Sequence, residues 1–294
     1  MAKICFTTLV SPNHYAWYVP IFVYSINRAY PDAAVEIFVK GKLKPDVSNL
    51  LKMCKNYTVH EDIFLDCPVK AGTCNTLRFL VPQEYFKKYD YVFIRDVDFI
   101  TFAHIPTHLK YYRRIMKRGN IPYAGQGGAK KRPHCGITKN WSGKYQRIAL
   151  GTLLLKQPDF WNVCGKELDK YRENVQADKH DSFDKHLPCS YFVYDEVCFI
   201  RILKKSKLPT PTRRGYDPSG KAVSLLYRDI HLGDFENYKL CTSKVFKKKL
   251  RVENVIAFKK LEKDKTWQKI VKECCLNDHV AHVISRLRKH VKKR

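Results

Sequence analysis

The first hundred residues alternate between short apolar runs and segments with helical spacing, and this alternation constrains the fold more than any other feature of the chain. Residues 4–10, Ile-Cys-Phe-Thr-Thr-Leu-Val, read as a buried strand that ends in the turn formers Ser11, Pro12, Asn13 and His14. Helical apolar spacing follows over residues 18–30, with Val19, Phe22, Val23 and Ile26 on one face, and Pro31 and Asp32 close it. Residues 35–39 predict a second strand, 47–54 a short helix, 57–59 a third strand and 91–94 a fourth. Alternation of this kind predicts an α/β fold with a mostly parallel central sheet flanked by helices. Between the third and fourth strands, Thr73 can cap a helix running through Leu77, Leu80, Val81 and Tyr85, which Pro82 kinks or splits.

The second half is less regular. Residues 124–144, rich in Gly, Lys and Arg, read as a mobile loop, and Trp141 within it and Tyr145 just after it are aromatic side chains that can stack on a ligand or simply pack. Residues 148–155 predict another buried strand, 158–174 a helix, 194–205 a further helix, and 225–230 a late strand that His231, Leu232, Gly233 and Asp234 follow. His104 and His108 have helical ligand spacing, but Pro106 between them argues against a regular helix, so both are read as structural.

Fifty-five Lys and Arg face 28 Asp and Glu, a net charge of +27, so phosphate-rich partners are expected. Residues 244–294 hold 17 basic and 5 acidic side chains, a net of +12. Eleven Cys without a C-x-x-C pair argue against a disulfide framework and the common zinc ribbons, which suits a reducing compartment. No run approaches the ~20 apolar residues of a membrane helix, and the short apolar run after Lys3 is no signal peptide. A soluble, cytoplasmic protein is the expectation.

Chemistry concentrates directly after the fourth strand, because ligands of open α/β sheets bind beyond the carboxyl ends of the strands. The residues there are Arg95, Asp96, Val97 and Asp98. An extended backbone points two carboxylates two residues apart to the same side, where they can share a hard cation such as Mg²⁺ or Mn²⁺. Acidic pairs also occur in solvated turns, but the preceding apolar strand argues against that reading here. His231, after an apolar strand and before a Gly segment, can face the same cleft. Asp195 and Glu196 open a helix, where a carboxylate either meets the helix dipole or serves as a general base. Gly125 to Gly128 has the spacing of neither a dinucleotide fingerprint nor a P-loop.

The run from Thr76 through Arg78 to Tyr91, Val92, Phe93, Ile94, Arg95, Asp96, Val97 and Asp98 resembles, in order and spacing, the Arg-containing helix and acidic strand end of the GT-A fold glycosyltransferases. The resemblance covers roughly residues 4–240 and is closest to the retaining, D-x-D-containing glycosyltransferase family 8 or a sister family. Residues 148–155 are similar to that family's glycine-containing strand, Asp195-Glu196 to an acidic helix start, and His231 to Gly233 to its third-ligand segment. Asp234 to Lys239 departs from the Lys-Pro-Trp ending that contacts the donor diphosphate in the family.

The resemblance implies a nucleoside-diphosphate sugar as donor, a uridine diphosphate sugar first among them, and transfer of a hexose or pentose with retention to a hydroxyl of a glycan, glycolipid or protein-linked acceptor. It implies Asp96, Asp98 and His231 as ligands of Mn²⁺ or Mg²⁺, and Asp96, Val97 and Asp98 along the donor. Thr7, Thr8 and residues 10–15, Tyr15 included, would line the base pocket, and Arg78 would reach the diphosphate or sugar. Asp195 or Glu196 would act on the acceptor or steady the sugar ring. Residues 1–243 are then the catalytic domain, with a donor half to about 105 and an acceptor half from about 106, and residues 244–294 form a basic helical extension.

Amphipathic helices in that extension can lie on an anionic membrane beside lipid-linked acceptors, or form a solvated appendage. Two other readings compete. A nucleic-acid-binding protein or nuclease fits the charge, but no zinc knuckle, ribonucleoprotein motif or basic heptad supports it, so nucleic acid is not the expected partner. An inactive scaffold that keeps the fold without turnover is the third.

Overall fold

The structure is a computed structural model that describes residues 2–67, 76–103, 107–126, 149–177, 194–209, 229–236 and 252–292. Six strands hydrogen-bond in the order β3-β2-β1-β4-β7-β6, where β1 is Ile4–Val10, β2 Ala34–Val39, β3 Tyr57–His60, β4 Tyr91–Arg95, β6 Tyr123–Gln126 and β7 Ala149–Lys156. A separate two-stranded ribbon joins β5, Phe99–Ile100, to β8, Ile230–His231. The parallel pairing expected from the alternation is present between β1 and β4 and between β2 and β3. Two antiparallel strands extend the sheet past β4: β7 pairs with β4 from Thr152 opposite Arg95 to Lys156 opposite Tyr91, and β6 pairs with β7. An apolar run reads the same in either direction, so hydrophobicity alone does not set strand polarity.

Two compact units interleave along the chain. One comprises residues 1–9, 62–95 and 108–223; the other comprises 10–61, 96–107 and 224–294.

In the first unit, Pro82 does break the helical segment around Leu77: helical backbone ends there and a short 3-10 helix, Gln83–Phe86, starts directly after the proline. Helix α3, His108–Gly119, buries Tyr112, Ile115 and Met116 and exposes Lys110, Arg113, Arg114, Lys117 and Arg118. The i, i+3, i+4 apolar spacing of Tyr112, Ile115 and Met116 accounts for this helix, which is not among the expectations above. Strand β6 corrects the loop reading at its start, since Tyr123 to Gly125 pair with Leu155 to Leu153. The rest of that loop, Trp141 included, lies outside the described residues, as do Tyr145, Thr73, His104 and Pro106. Helix α4, Asp159–Gln176, buries Phe160, Cys164, Leu168, Tyr171 and Val175 along one stripe, and Phe160 stacks on Phe199 of α5, Tyr194–Lys205, with centroids 6.1 Å apart.

In the second unit, α1, Val19–Ala29, is enclosed on all sides over residues 19–26, and α2 spans Pro45–Leu51. Three helices follow near the C-terminus: α6, Val252–Leu261; α7, Lys265–Cys274; and α8, Asp278–Lys292. Their apolar stripes are buried, with Trp267, Ile270, Cys274, Val280, Val283 and Leu287 at 1 % exposure or less. Helix α7 is tied to α1, because Tyr24 donates to Asp264 at 2.7 Å while Asp264 caps α7 by accepting from the amides of Thr266 and Trp267. No helix among the described residues is long and apolar enough to cross a membrane.

Candidate metal centre

Strand β4 ends at Arg95, and the chain turns at Val97 and Asp98 before β5 begins at Phe99. The carboxylates of Asp96 and Asp98 therefore converge through a turn rather than through the extended backbone expected from their spacing. Two contacts drive the turn. Val97 is buried, and the ribbon that follows places Phe99 opposite His231, with Ile100 opposite Ile230. His231 thus belongs to the strand it was expected to follow, and its ring stacks on Phe99 at a centroid distance of 4.7 Å. Two amides then fasten the crossing: Leu232 N–H donates to the Asp98 carbonyl at 2.7 Å, and Gly233 N–H donates to Asp98 Oδ2 at 3.1 Å.

Asp96, Asp98 and His231 each offer a ligand atom within 4.8 Å of the others. His231 Nε2 lies 3.1 Å from Asp98 Oδ2. Ligands at adjacent corners of an octahedral ion with bonds of ~2.1 Å are about 3 Å apart, so this pair has the separation a Mg²⁺- or Mn²⁺-sized ion requires. Two carboxylates and an imidazole are also a suitable donor set for such an ion. Burial of Asp98 pushes its carboxyl upward, but the charge and hydrogen bond of His231 and the Gly233 amide outweigh this and hold it below the usual carboxylate range. It is an anion at neutral pH, as a ligand must be.

Aromatic and imidazole side chains of the same unit surround Glu236. Tyr15 donates to its Oε1 at 3.3 Å, and His279 Nε2 lies 3.2 Å from the same atom. The His279 ring is 4.4 Å from His14 and 6.0 Å from both Tyr15 and Tyr18. Burial and the negative charges of Glu236 and Asp98 push the Tyr15 and Tyr18 phenols upward, so both remain hydrogen-bond donors. The Tyr18 hydroxyl is buried and finds no protein acceptor among the described residues. Tyr15 is among the residues expected at the site; Tyr18 reads only as the start of a helix, His279 only as part of the basic tail, and Glu236 only as part of the segment that departs from the Lys-Pro-Trp ending.

Thr7, Thr8 and Arg78 belong to the other unit. Both threonines are buried in β1, Thr7 opposite Ile94, and Arg78 is buried with its guanidinium 4.8 Å from the Phe79 ring centroid. Asp195 and Glu196 lie in the first turn of α5, and their side chains are outside the described residues.

No protein-family model and no curated protein matches the chain. Among solved structures it is similar to the apo form of the bifunctional glycosyltransferase WbbM, at 13 % identity and a TM-score of 0.44 over 97 % of this chain and 52 % of that one. It is also similar to the glycosyltransferase GlyE of Streptococcus pneumoniae, at 10 % identity and a TM-score of 0.42 over 70 % and 44 % of the two chains. A third is the galactosyltransferase LgtC in complex with donor and acceptor sugar analogues, at 15 % identity and a TM-score of 0.37 over 57 % and 65 %. The matched part spans less than two thirds of each of these chains.

Proposed function

We propose that this chain is a metal-dependent glycosyltransferase that takes its sugar from a nucleoside-diphosphate donor. The convergence of Asp96, Asp98 and His231 beyond the carboxyl end of β4 carries the reading. Asp96, Asp98 and His231 hold Mn²⁺ or Mg²⁺, and Val97 sets the turn between the two carboxylates. When bound, such an ion neutralises charge that builds on a departing diphosphate. Tyr18, whose phenol remains protonated and whose buried hydroxyl has no acceptor among the described residues, presents a donor to the anionic end of the substrate, while Tyr15, its hydroxyl donating to Glu236, lines the base pocket. Thr7 and Thr8 line the base pocket, and Arg78 reaches the diphosphate or sugar with a planar fork suited to phosphate.

In the finer reading the donor is a uridine diphosphate sugar, a hexose or pentose is transferred with retention, and the acceptor is a hydroxyl of a glycan, glycolipid or protein-linked chain. Asp195 or Glu196 orients that acceptor or steadies positive charge on the ring. Residues 1–243 form the catalytic part. The exposed basic faces of the helices within residues 244–294 keep the enzyme, in the cytoplasm, beside an anionic membrane.

A thermal-shift screen of nucleoside-diphosphate sugars with and without Mn²⁺ tests this. The expected result is stabilisation that needs both metal and a uridine diphosphate sugar. Stabilisation by no nucleotide sugar, with metal present, would overturn the reading.

A further inference from the structure

We infer that the C-terminal helix α8 positions the metal centre, acting through Arg286 and His279 on the turn that follows His231. The inference rests on the metal-centre reading above. That turn is the 3-10 helix Leu232–Phe235 with Glu236 at its end. A 3-10 helix this short makes few internal hydrogen bonds and does not hold its own shape in water. Its shape must come from contacts at its two ends.

At the first end, the Leu232 and Gly233 amides hold Asp98. At the second, Arg286 Nη1 donates to the Phe235 carbonyl at 3.1 Å and to the Glu236 carbonyl at 2.7 Å. A cation on the terminal carbonyls of a helical turn opposes the negative end of its dipole and satisfies acceptors that have no partner within the turn. His279 holds the Glu236 carboxylate at 3.2 Å, and the ring of His290 meets Phe235 edge-on at 6.1 Å. His279, Arg286 and His290 are spaced i, i+7, i+11, which places them along one stripe of α8. Leu232 and Phe235 are buried at 0 % and 2 % exposure, so the turn cannot slide without disturbing packed side chains.

A continuous path therefore runs from α8 through Phe235 and Glu236 to Gly233, and from Gly233 to a carboxylate oxygen of Asp98. The basic C-terminal segment, read from sequence as an appendage, becomes part of what sets the separation of two metal ligands. Arg286 and His279 act through the carbonyls and carboxylate of the turn, as positioning residues.

The test uses the full chain and its Arg286→Met, Arg286→Lys and Val280→Ala variants. Mn²⁺ affinity is read from the electron paramagnetic resonance of free ion, and amide exchange over residues 232–236 is measured without metal. Arg286→Met should weaken Mn²⁺ binding about 10-fold or more, as loss of an outer-shell partner does, and should speed exchange in the turn. Arg286→Lys, which keeps the cation but not the two-carbonyl reach, should fall between. Val280→Ala truncates a buried side chain of the same helix without removing a bond to the turn, and should lower the melting temperature with little change in affinity. Wild-type affinity and exchange in Arg286→Met, or equal weakening in Val280→Ala, would overturn the inference. Failure of the wild-type chain itself to bind Mn²⁺ would instead sink the metal reading on which it rests.

Discussion

The backbone N–H of Gly233 stands 3.1 Å from Oδ2 of Asp98, and a Cβ at residue 233 would stand 2.7 Å from that same oxygen. It would also lie 3.1 Å from Cε1 and Nε2 of His231. Two members of the candidate metal centre thus close on a position that only glycine fills without displacing them. Gly233→Ala should cost roughly 1–3 kcal/mol of stability through overpacking. It should also separate Asp98 from His231, so Mn²⁺ binding should weaken far more than the melting temperature alone suggests. Calorimetric titration of both proteins checks this; unchanged affinity would mean that the turn yields freely.

Asp98 is the most enclosed member of the centre, and its carbonyl and carboxylate accept from the Leu232 and Gly233 amides. Its replacement by alanine removes an anionic ligand and strands His231, Leu232 and Gly233 around a cavity. Turnover of a nucleotide-sugar donor should fall by at least ~10²-fold, the scale of one strong transition-state electrostatic contact. Wild-type turnover should vanish in chelator and return with added Mn²⁺. Activity that persists in Asp98→Ala with chelator present would exclude a metal mechanism.

Much of this was legible in the sequence, for physical reasons that can be named. Residues 4–10 and 91–94 are apolar runs bounded by turn formers, and both are central strands of the sheet. Asp96 and Asp98 stand out because they follow such a run directly. What periodicity could not show was anything that depends on distant pairing. The turn at Val97 is imposed by Phe99 meeting His231, 132 positions along the chain. The antiparallel sense of β7 is likewise set by its partners, not by its own residues. Glu236 and His279 were invisible for the same reason: each is an ordinary charged or polar side chain until α8 folds back against the turn that follows β8.

Asp264 gives a pH dependence with a definite sign. Burial raises its carboxyl, but the Tyr24 hydroxyl, the Trp267 and Thr266 amides and Arg28 together hold it below the ordinary value. A folded-state value below the unfolded one means that the ionised group stabilises the fold above the unfolded value. That contribution is lost as pH falls through the folded value. Asp264→Asn keeps a cap acceptor but not the charge. Wild type should melt above the variant at pH 7, and the gap should close as pH falls below about 4, the unfolded carboxyl range. Melting curves from pH 7 to pH 3 measure this, and a gap independent of pH would show that the charge contributes nothing.

Lys40 sits just past the carboxyl end of β2, its amide donating to the Val10 carbonyl at 2.9 Å, and its side chain is buried at 5 % exposure. Its ammonium finds no hydrogen-bond partner among the described residues. A buried cation without an acceptor is costly, and an apolar side chain of similar length removes the cost. Lys40→Met should therefore stabilise the ligand-free chain, by about 1–3 kcal/mol on the scale of replaced buried charges. The carboxyl ends of β1 and β2 are also where an open α/β sheet receives a ligand. In the presence of uridine diphosphate and Mn²⁺ the order should narrow or reverse, because the native ammonium gains an acceptor that methionine cannot use. Paired melting curves with and without nucleotide separate the two effects. A lower melting temperature for the ligand-free variant would show that the folded chain already satisfies the ammonium, and a nucleotide-induced shift equal in both proteins would show that Lys40 does not meet the donor.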